Sequence, residues 1–145
     1  MSSMSAGPAI RRATHADIAR IMAIRHAVRE NRLSDPNVVT AADCARFIDR
    51  AEIWVWVAEG VVQGFSAGDP DNGEIWALFV DPGHEGRGIG RALLAQACAT
   101  LRSAGHGAAT LGTDAGTRAE RFYRTAGWID GGTNAKGEVV FRKAL

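Results

Sequence analysis

Residues 80–94 read Val-Asp-Pro-Gly-His-Glu-Gly-Arg-Gly-Ile-Gly-Arg-Ala-Leu-Leu and carry the densest chemical signal in the chain. An apolar run ends at Val80, a glycine-rich turn follows, and the turn opens a helix. The first N–H groups of a helix have no intrahelical partner and sit at the positive end of its dipole. Glycines let the backbone approach a ligand with no side chain between. Gly86, Gly88, Ile89 and Gly90 are therefore expected to cradle a pyrophosphate. Arg87 and Arg91 are placed to supplement them, because a guanidinium suits phosphate. Two familiar patterns fail. No Lys follows Gly90, which excludes the P-loop. The dinucleotide fingerprint runs onto Leu93 from Gly88 and onto Arg91 from Gly86, and it belongs after a first strand. The alternative is a glycine turn that only packs a helix.

Elsewhere the chemistry is sparse. Tyr123 is the only tyrosine. The four histidines, His15, His26, His84 and His106, show no metal-ligand spacing, and no CxxC occurs, so no metal site is expected. Cys44 and Cys98 fall in partly apolar helical segments and read as buried thiols.

The elements that must position these groups follow from periodicity and turn chemistry. A short strand is expected at 9–12. Thr14 and Asp17 form a capping-box-like pair before a helix running to about Arg32. Asp35-Pro36-Asn37 marks a loop over 33–39. Thr40 and Asp43 repeat the cap for a second helix to about Arg50, with Cys44, Phe47 and Ile48 on its apolar side. Ile53–Val57 is β-branched and aromatic and reads as a strand, turned at Glu59-Gly60 into a return strand over 61–68. Asp69–Gly73 is a second turn. Glu74–Val80 is apolar nearly throughout, as a strand buried on both faces would be. A helix is expected over about 88–104, a strand over 108–112, a helix over 117–125, a strand from Trp128, a loop over 131–137 and a last strand over 138–142. This order predicts one α/β (α+β) domain with a mixed sheet.

Hydrophobic residues make up 46% of the 145, enough for one domain core, and the net charge of +1 supplies no field to recruit nucleic acid or a membrane surface. No run approaches the ~20 apolar residues that span a bilayer. Residues 1–8 read as a disordered start and 9–145 as the domain, with no signal-peptide pattern, so a cytoplasmic location is expected.

The motif residues resemble the GNAT acetyltransferase superfamily. In that family a strand ending in Val-x-Pro leads to Arg/Gln-x-x-Gly-x-Gly/Ala and a Leu-Leu helix, matched here at Val80, Pro82, Gly88, Gly90, Leu93 and Leu94. Downstream, Ala119-x-x-Phe122-Tyr123-x-x-x-Gly127-Trp128 is similar to the family's Ala-x-x-Phe-Tyr-x-x-x-Gly-Phe. The resemblance covers roughly residues 9–143. It departs at Glu85, which stands at the Arg/Gln position and is expected to point away from phosphate. It departs again at Gly116, where many members carry an Asn against the CoA arm; Thr117 is the nearest replacement.

The resemblance implies a mostly antiparallel sheet, splayed to form a CoA cleft and flanked by helices. It implies acetyl-CoA as cosubstrate and an amine acceptor, either a small molecule or a peptide. It places pantetheine pairing and oxyanion stabilisation on the backbone of Leu78, Phe79 and Val80. It makes Tyr123 the general acid toward the CoA sulfur and Glu74 a general base acting through water. Packing beside Phe122 and a solvated turn position are the bland readings of those two. His26 could reach the acceptor side or be an ordinary helix-surface residue, and Trp76 could wall the acceptor pocket or fill core. The second function class is an acyl-CoA-binding sensor, which shares the cradle but needs no Tyr123. A nucleic-acid role is disfavoured, because the arginines are spread rather than clustered. Many relatives are dimers, which leaves room for a homodimer. No motif names the acceptor; relatives acetylate antibiotics, polyamines, amino acids, N-termini and lysines.

Overall fold

The computed structural model describes residues 8–28, 40–50 and 52–145. Among the described residues, seven strands form one sheet: β1 (Ala9–Arg12), β2 (Ile53–Ala58), β3 (Val61–Asp69), β4 (Glu74–Val80), β5 (Ala108–Asp114), β6 (Ile129–Thr133) and β7 (Glu138–Ala144). Their order in space is β1-β2-β3-β4-β5-β7-β6. All neighbours are antiparallel except β4 and β5, which are parallel. The α-helices of the described residues, α1 (Ile18–Ala27), α2 (Ala41–Asp49), α3 (Ile89–Ser103) and α4 (Arg118–Thr125), cover the two faces. This is the predicted mixed, mostly antiparallel α/β sheet.

Each face has its own core. Ile21, Ile24, Phe47, Ile53, Val55 and Phe65 bury the α1–α2 face. Leu94, Ala97, Leu101, Leu111, Tyr123, Trp128 and Phe141 bury the other, under α3 and α4. Strand β3 separates the two by alternation: Phe65 and Ala67 face α1 and α2, while Gly64, Ser66 and Gly68 face α3. A Cβ on Gly68 would stand 2.9 Å from the Ala97 carbonyl oxygen, and one on Gly64 would stand 3.0 Å from Leu93 Cδ1. The helix therefore rests on β3 closer than a side chain there would allow. Ser66 Oγ donates to the Leu93 carbonyl at 2.9 Å and pins the contact. That close seat fixes where the N-terminus of α3 emerges.

The caps behave as the sequence predicts. Thr14 N–H donates to Asp17 Oδ2 at 2.7 Å, and Arg11 adds a forked pair to the same carboxylate at 2.8 and 3.0 Å. Asp43 N–H donates to Thr40 Oγ1 at 3.1 Å. Cys44 and Cys98 are free and buried, and burial pushes the Cys44 thiol up to about 11.

Three local expectations change. The first helix stops at Ala27 rather than near Arg32, because Val28 is extended with ψ of 100°. The predicted remainder of that helix and the loop over 33–39 lie outside the described residues, as does the start of the chain up to residue 7. Strand β6 runs through Gly131 and Gly132, which were expected in a loop. Finally, β4 is not a plain strand. Ala77 pairs with Ala67 but Ile75 pairs with Gly68, so Trp76 is an extra residue in a β-bulge. The bulge turns Trp76, Ala77 and Phe79 to the α1–α2 core while Ile75 and Leu78 face the α3 core. Glu74, next before Ile75, falls by alternation on the α1–α2 side.

Candidate active site

Strands β4 and β5 pair only where Glu74 meets Thr110, with Thr110 N–H also donating to the Gly73 carbonyl at 3.1 Å. Beyond that point they diverge. On its other side β4 stays paired with β3 as far as Val80. The second half of β4 therefore presents backbone groups to the gap with no ladder partner, an arrangement that invites an extended ligand. Into this gap opens a cavity of about 460 Å³. Its β4 wall is Leu78, Phe79 and Val80; its floor is Gly86, Gly88, Ile89, Gly90 and Arg91; its far wall is α4 with Ala119, Phe122 and Tyr123.

The glycine turn has the geometry expected of a cradle. Gly86 and Gly88 have φ of +81° and +79°, and a Cβ at either would meet nothing within 4 Å. Their need for glycine is conformational rather than steric, and it leaves bare backbone facing open space. Gly88 caps α3, a fifteen-residue helix whose first N–H groups face that space. Gly90 is different. A Cβ there would sit at an ordinary 3.6 Å from Val80 and 3.7 Å from the Phe122 ring, where strand, helix start and α4 converge. Bare N–H groups, a helix N-terminus and cavity-lining Arg91, Arg118 and Arg121 together fit a phosphate-bearing ligand.

Most of the predicted cofactor residues come together here: Leu78, Phe79, Val80, Gly86, Gly88, Ile89, Gly90 and Arg91 all line one cavity. Arg87 does not line it; it is exposed and lies 3.4 Å from His84 Nδ1. Glu85 departs from expectation. Instead of pointing away it lines the cavity, and Arg118 Nη1 donates to its Oε1 at 2.8 Å across from α4. The facing arginine compensates the carboxylate that the phosphate would otherwise meet. Thr117 is not available as a replacement arm. It caps α4 by accepting from Glu120 N–H at 3.2 Å and donates to the Asp114 carbonyl at 2.8 Å.

Tyr123 lines the cavity and is 6% exposed. Its ring stands edge-on to Trp128 and Phe122 and tilted against Phe141. Packing and cavity-lining positions thus coexist. Burial, with the Cys98 thiol adding a little, pushes the phenol well above its ordinary value, and its hydroxyl has no hydrogen bond among the described residues. It is a protonated donor with its proton uncommitted.

Glu74 does not line the cavity. It is exposed at the start of β4, yet the strand ends around its carboxyl crowd out water, and Asp69 and Glu138 add like charge. All three raise it above its ordinary carboxylate value. Trp76 is half-buried and stacks on Phe47 of α2 with centroids 4.5 Å apart, so it belongs to the packing of the α1–α2 face. His26 is exposed at the last turn of α1. Sequence reasoning missed Val28, Arg118 and Arg121, which line the cavity. These α4 arginines precede the recognised Phe-Tyr pair, but nothing in their spacing separates a cavity wall from a solvated face.

A family model described as the acetyltransferase (GNAT) family matches residues 18–128. The chain belongs to that family. No curated protein sequence matches it. Among solved structures it is similar to yncA from Salmonella typhimurium, determined with its cofactor acetyl-CoA, at 21% identity and a TM-score of 0.80, over 97% of this chain and 95% of that one. It is also similar to ribosomal-protein-alanine N-acetyltransferase from Brucella melitensis, at 25% identity and a TM-score of 0.76, over 94% and 99%. A third is N-acetylglutamate synthase from Neisseria gonorrhoeae, complexed with coenzyme A and N-acetyl-glutamate, at 19% identity and a TM-score of 0.79, over 99% of this chain and 36% of that one. Among the described residues no helix is long and apolar enough to cross a membrane.

Proposed function

We propose that this chain is an N-acetyltransferase that passes an acetyl group from acetyl-CoA to a primary amine of a small molecule or peptide, by direct attack in a ternary complex. The observation that carries the reading is the unpaired second half of β4, opening on the same cavity as the glycine cradle and Tyr123. Acetyl-CoA supplies an activated thioester carbonyl. The amine nitrogen forms the new C–N bond as the C–S bond breaks; the amine gives up one proton and the sulfur gains one.

Each chain residue has one task in that exchange. The N–H groups of Gly86, Gly88, Ile89 and Gly90, with Arg91, hold the pyrophosphate. Backbone groups of Leu78, Phe79 and Val80 pair with the uncharged arm and stabilise the oxyanion. Tyr123 donates to the departing sulfur; its raised value keeps the proton in place until a strong base develops beside it. Glu74 receives the amine proton. It stands four residues from Leu78, roughly 13 Å at ~3.3 Å per residue, so it acts through water rather than by contact.

Thermal unfolding with acetyl-CoA, NAD and ATP in parallel tests the cradle. A ligand at 100 times its dissociation constant adds about 2.7 kcal/mol to apparent stability. Acetyl-CoA alone should raise the midpoint, and an amine screen should then give turnover. A larger shift with a nucleotide, or none with acetyl-CoA, sinks the reading. A shift without turnover on any amine favours the sensor.

A further inference from the structure

Helix α1 carries two arginines on its core side, and they are treated differently. Arg20 is tethered: its Nε donates to the Val62 carbonyl and its Nη2 to Asp81 Oδ2, both at 2.8 Å. Arg25 is more deeply buried, at 6% exposure, and has no hydrogen bond or ion pair among the described residues. Its recorded contact is the face of Phe79, with the guanidinium carbon 5.8 Å from the ring centroid. Guanidinium groups keep their charge when buried, and a ring face replaces only part of the lost hydration. A buried, unpaired cation is costly, and in a native fold it calls for an explanation.

Its surroundings supply one. Phe79, whose ring it faces, lines the cavity, and so does Val28, the extended residue that ends α1, although Arg25 itself is not a lining residue. The guanidinium thus stands at the α1 edge of the cleft. The phosphate cradle is elsewhere, at the start of α3 on the opposite side of the sheet. The arm that runs between them is uncharged. An anion reaching Arg25 must therefore arrive with the acceptor. The neighbourhood is otherwise apolar, with Trp76 stacked on Phe47, and Glu74 shares this face of β4. A single guanidinium in such a place balances the one charge of a carboxylate, whereas a dianionic phosphate would leave a buried charge uncompensated.

We propose that Arg25 binds the carboxylate of the acceptor, so that the substrate class is an amine bearing a carboxylate: an amino acid or a close analogue. This rests on the acetyl-transfer reading above and narrows it. In this role Arg25 is an acceptor-binding residue, and no proton passes through it.

The test compares each common amino acid with its amide and its decarboxylated amine, at saturating acetyl-CoA, by kcat/KM. The amide has the less basic amine and so more of it free at a given pH; any preference for the acid therefore reflects recognition. At least one acid should exceed its amide and its amine by roughly 10–100-fold. Arg25→Gln should remove that advantage while changing the amide by less than about threefold, and Arg25→Lys should keep part of it. The acetyl-CoA thermal shift of Arg25→Gln should match the wild type, which reports that the variant is folded and its cradle intact. If it does not fold, the wild-type comparison alone still decides. No acid outrunning its amide in the wild-type protein, or Arg25→Gln slowing acid and amide alike, overturns the proposal. Absence of any acetyl-CoA shift in the wild type is a different failure: it removes the acetyl-transfer reading itself and this proposal with it.

Discussion

On the α3 side of the cleft the glycine turn and β4 offer a ligand backbone, at Gly86, Gly88, Ile89, Gly90 and the unpaired edge of β4, with Arg91, Arg118 and Arg121 around it. On the α1 side they are the side chains of Phe79 and Val28, with the proposed acceptor residues Arg25 and Glu74 outside the lining itself. A backbone site recognises what every substrate pair shares, the phosphates and the extended arm. It constrains sequence tightly, because few residues besides glycine allow positive φ. A side-chain site recognises what differs between substrates and can be rebuilt one residue at a time. The same contrast separates the cofactor half of the proposed function, which rests on backbone, from the acceptor half, which rests on side chains.

Tyr123→Phe probes the comparison where the two walls meet. The ring packing against Trp128, Phe122 and Phe141 survives the change, and only the hydroxyl is lost. Turnover should fall by roughly 10²–10³-fold, with acetyl-CoA affinity unchanged. Equal turnover would leave Tyr123 a packing residue and the sulfur protonated by water.

Glu74→Gln attacks the acceptor side alone. If Glu74 takes the amine proton, kcat should fall by about 10²-fold on the high-pH plateau. The sign of the pH profile follows from its raised value. Below that value the carboxyl is protonated and cannot accept a proton, so wild-type rate should rise with pH through a limb lying above the ordinary carboxylate value of ~4.3. The limb should vanish in Glu74→Gln. A limb that persists unchanged assigns it to the amine or another group.

Most of the fold is legible in the sequence, because each element announces itself by local chemistry. Thr14, Thr40 and Thr117 mark helix starts, and Glu59-Gly60 and Asn72-Gly73 mark strand reversals. The cradle is legible for the same reason: it is one continuous segment. What is hidden depends on register or on distant pairs. The bulge at Trp76 decides which face Glu74, Trp76 and Phe79 occupy, and no residue type in Glu74–Val80 signals it. The early stop of α1 at Ala27 has no glycine or proline to mark it. Arg25 sits one residue after Ile24 and four after Ile21 on an apolar stripe, which is the one clue that it is not solvated. Glu85 looks wrong for a phosphate loop until Arg118, thirty-three positions away, is seen beside it.

Gly88→Ala tests the backbone wall. The added methyl meets no atom within 4 Å, so a loss would come from the +79° φ, not from a clash. Left-handed backbone costs a non-glycine residue about 1–2 kcal/mol, so the turn should relax and acetyl-CoA should bind about 5–30-fold more weakly. The preference for an acid over its amide should be untouched. A change in that preference would mean that the two walls are coupled through β4.

The smallest effect is expected at the pair that ties loop to helix across the cavity. Glu85 Oε1 and Arg118 Nη1 are 2.8 Å apart, with side chains one-third and more than half exposed, so as a stabilising contact the pair contributes little. Its consequence is for the ligand. As acetyl-CoA phosphates enter, Glu85 repels them while Arg118 is divided between two anions. Glu85→Gln removes the repulsion and releases Arg118 from that pair. Acetyl-CoA should then bind about threefold more tightly, and the gain should shrink as salt is raised toward 1 M, because exposed charges are screened. Weaker binding in Glu85→Gln would reverse the inference: the ion pair would then be a strut that holds α4 against the glycine turn.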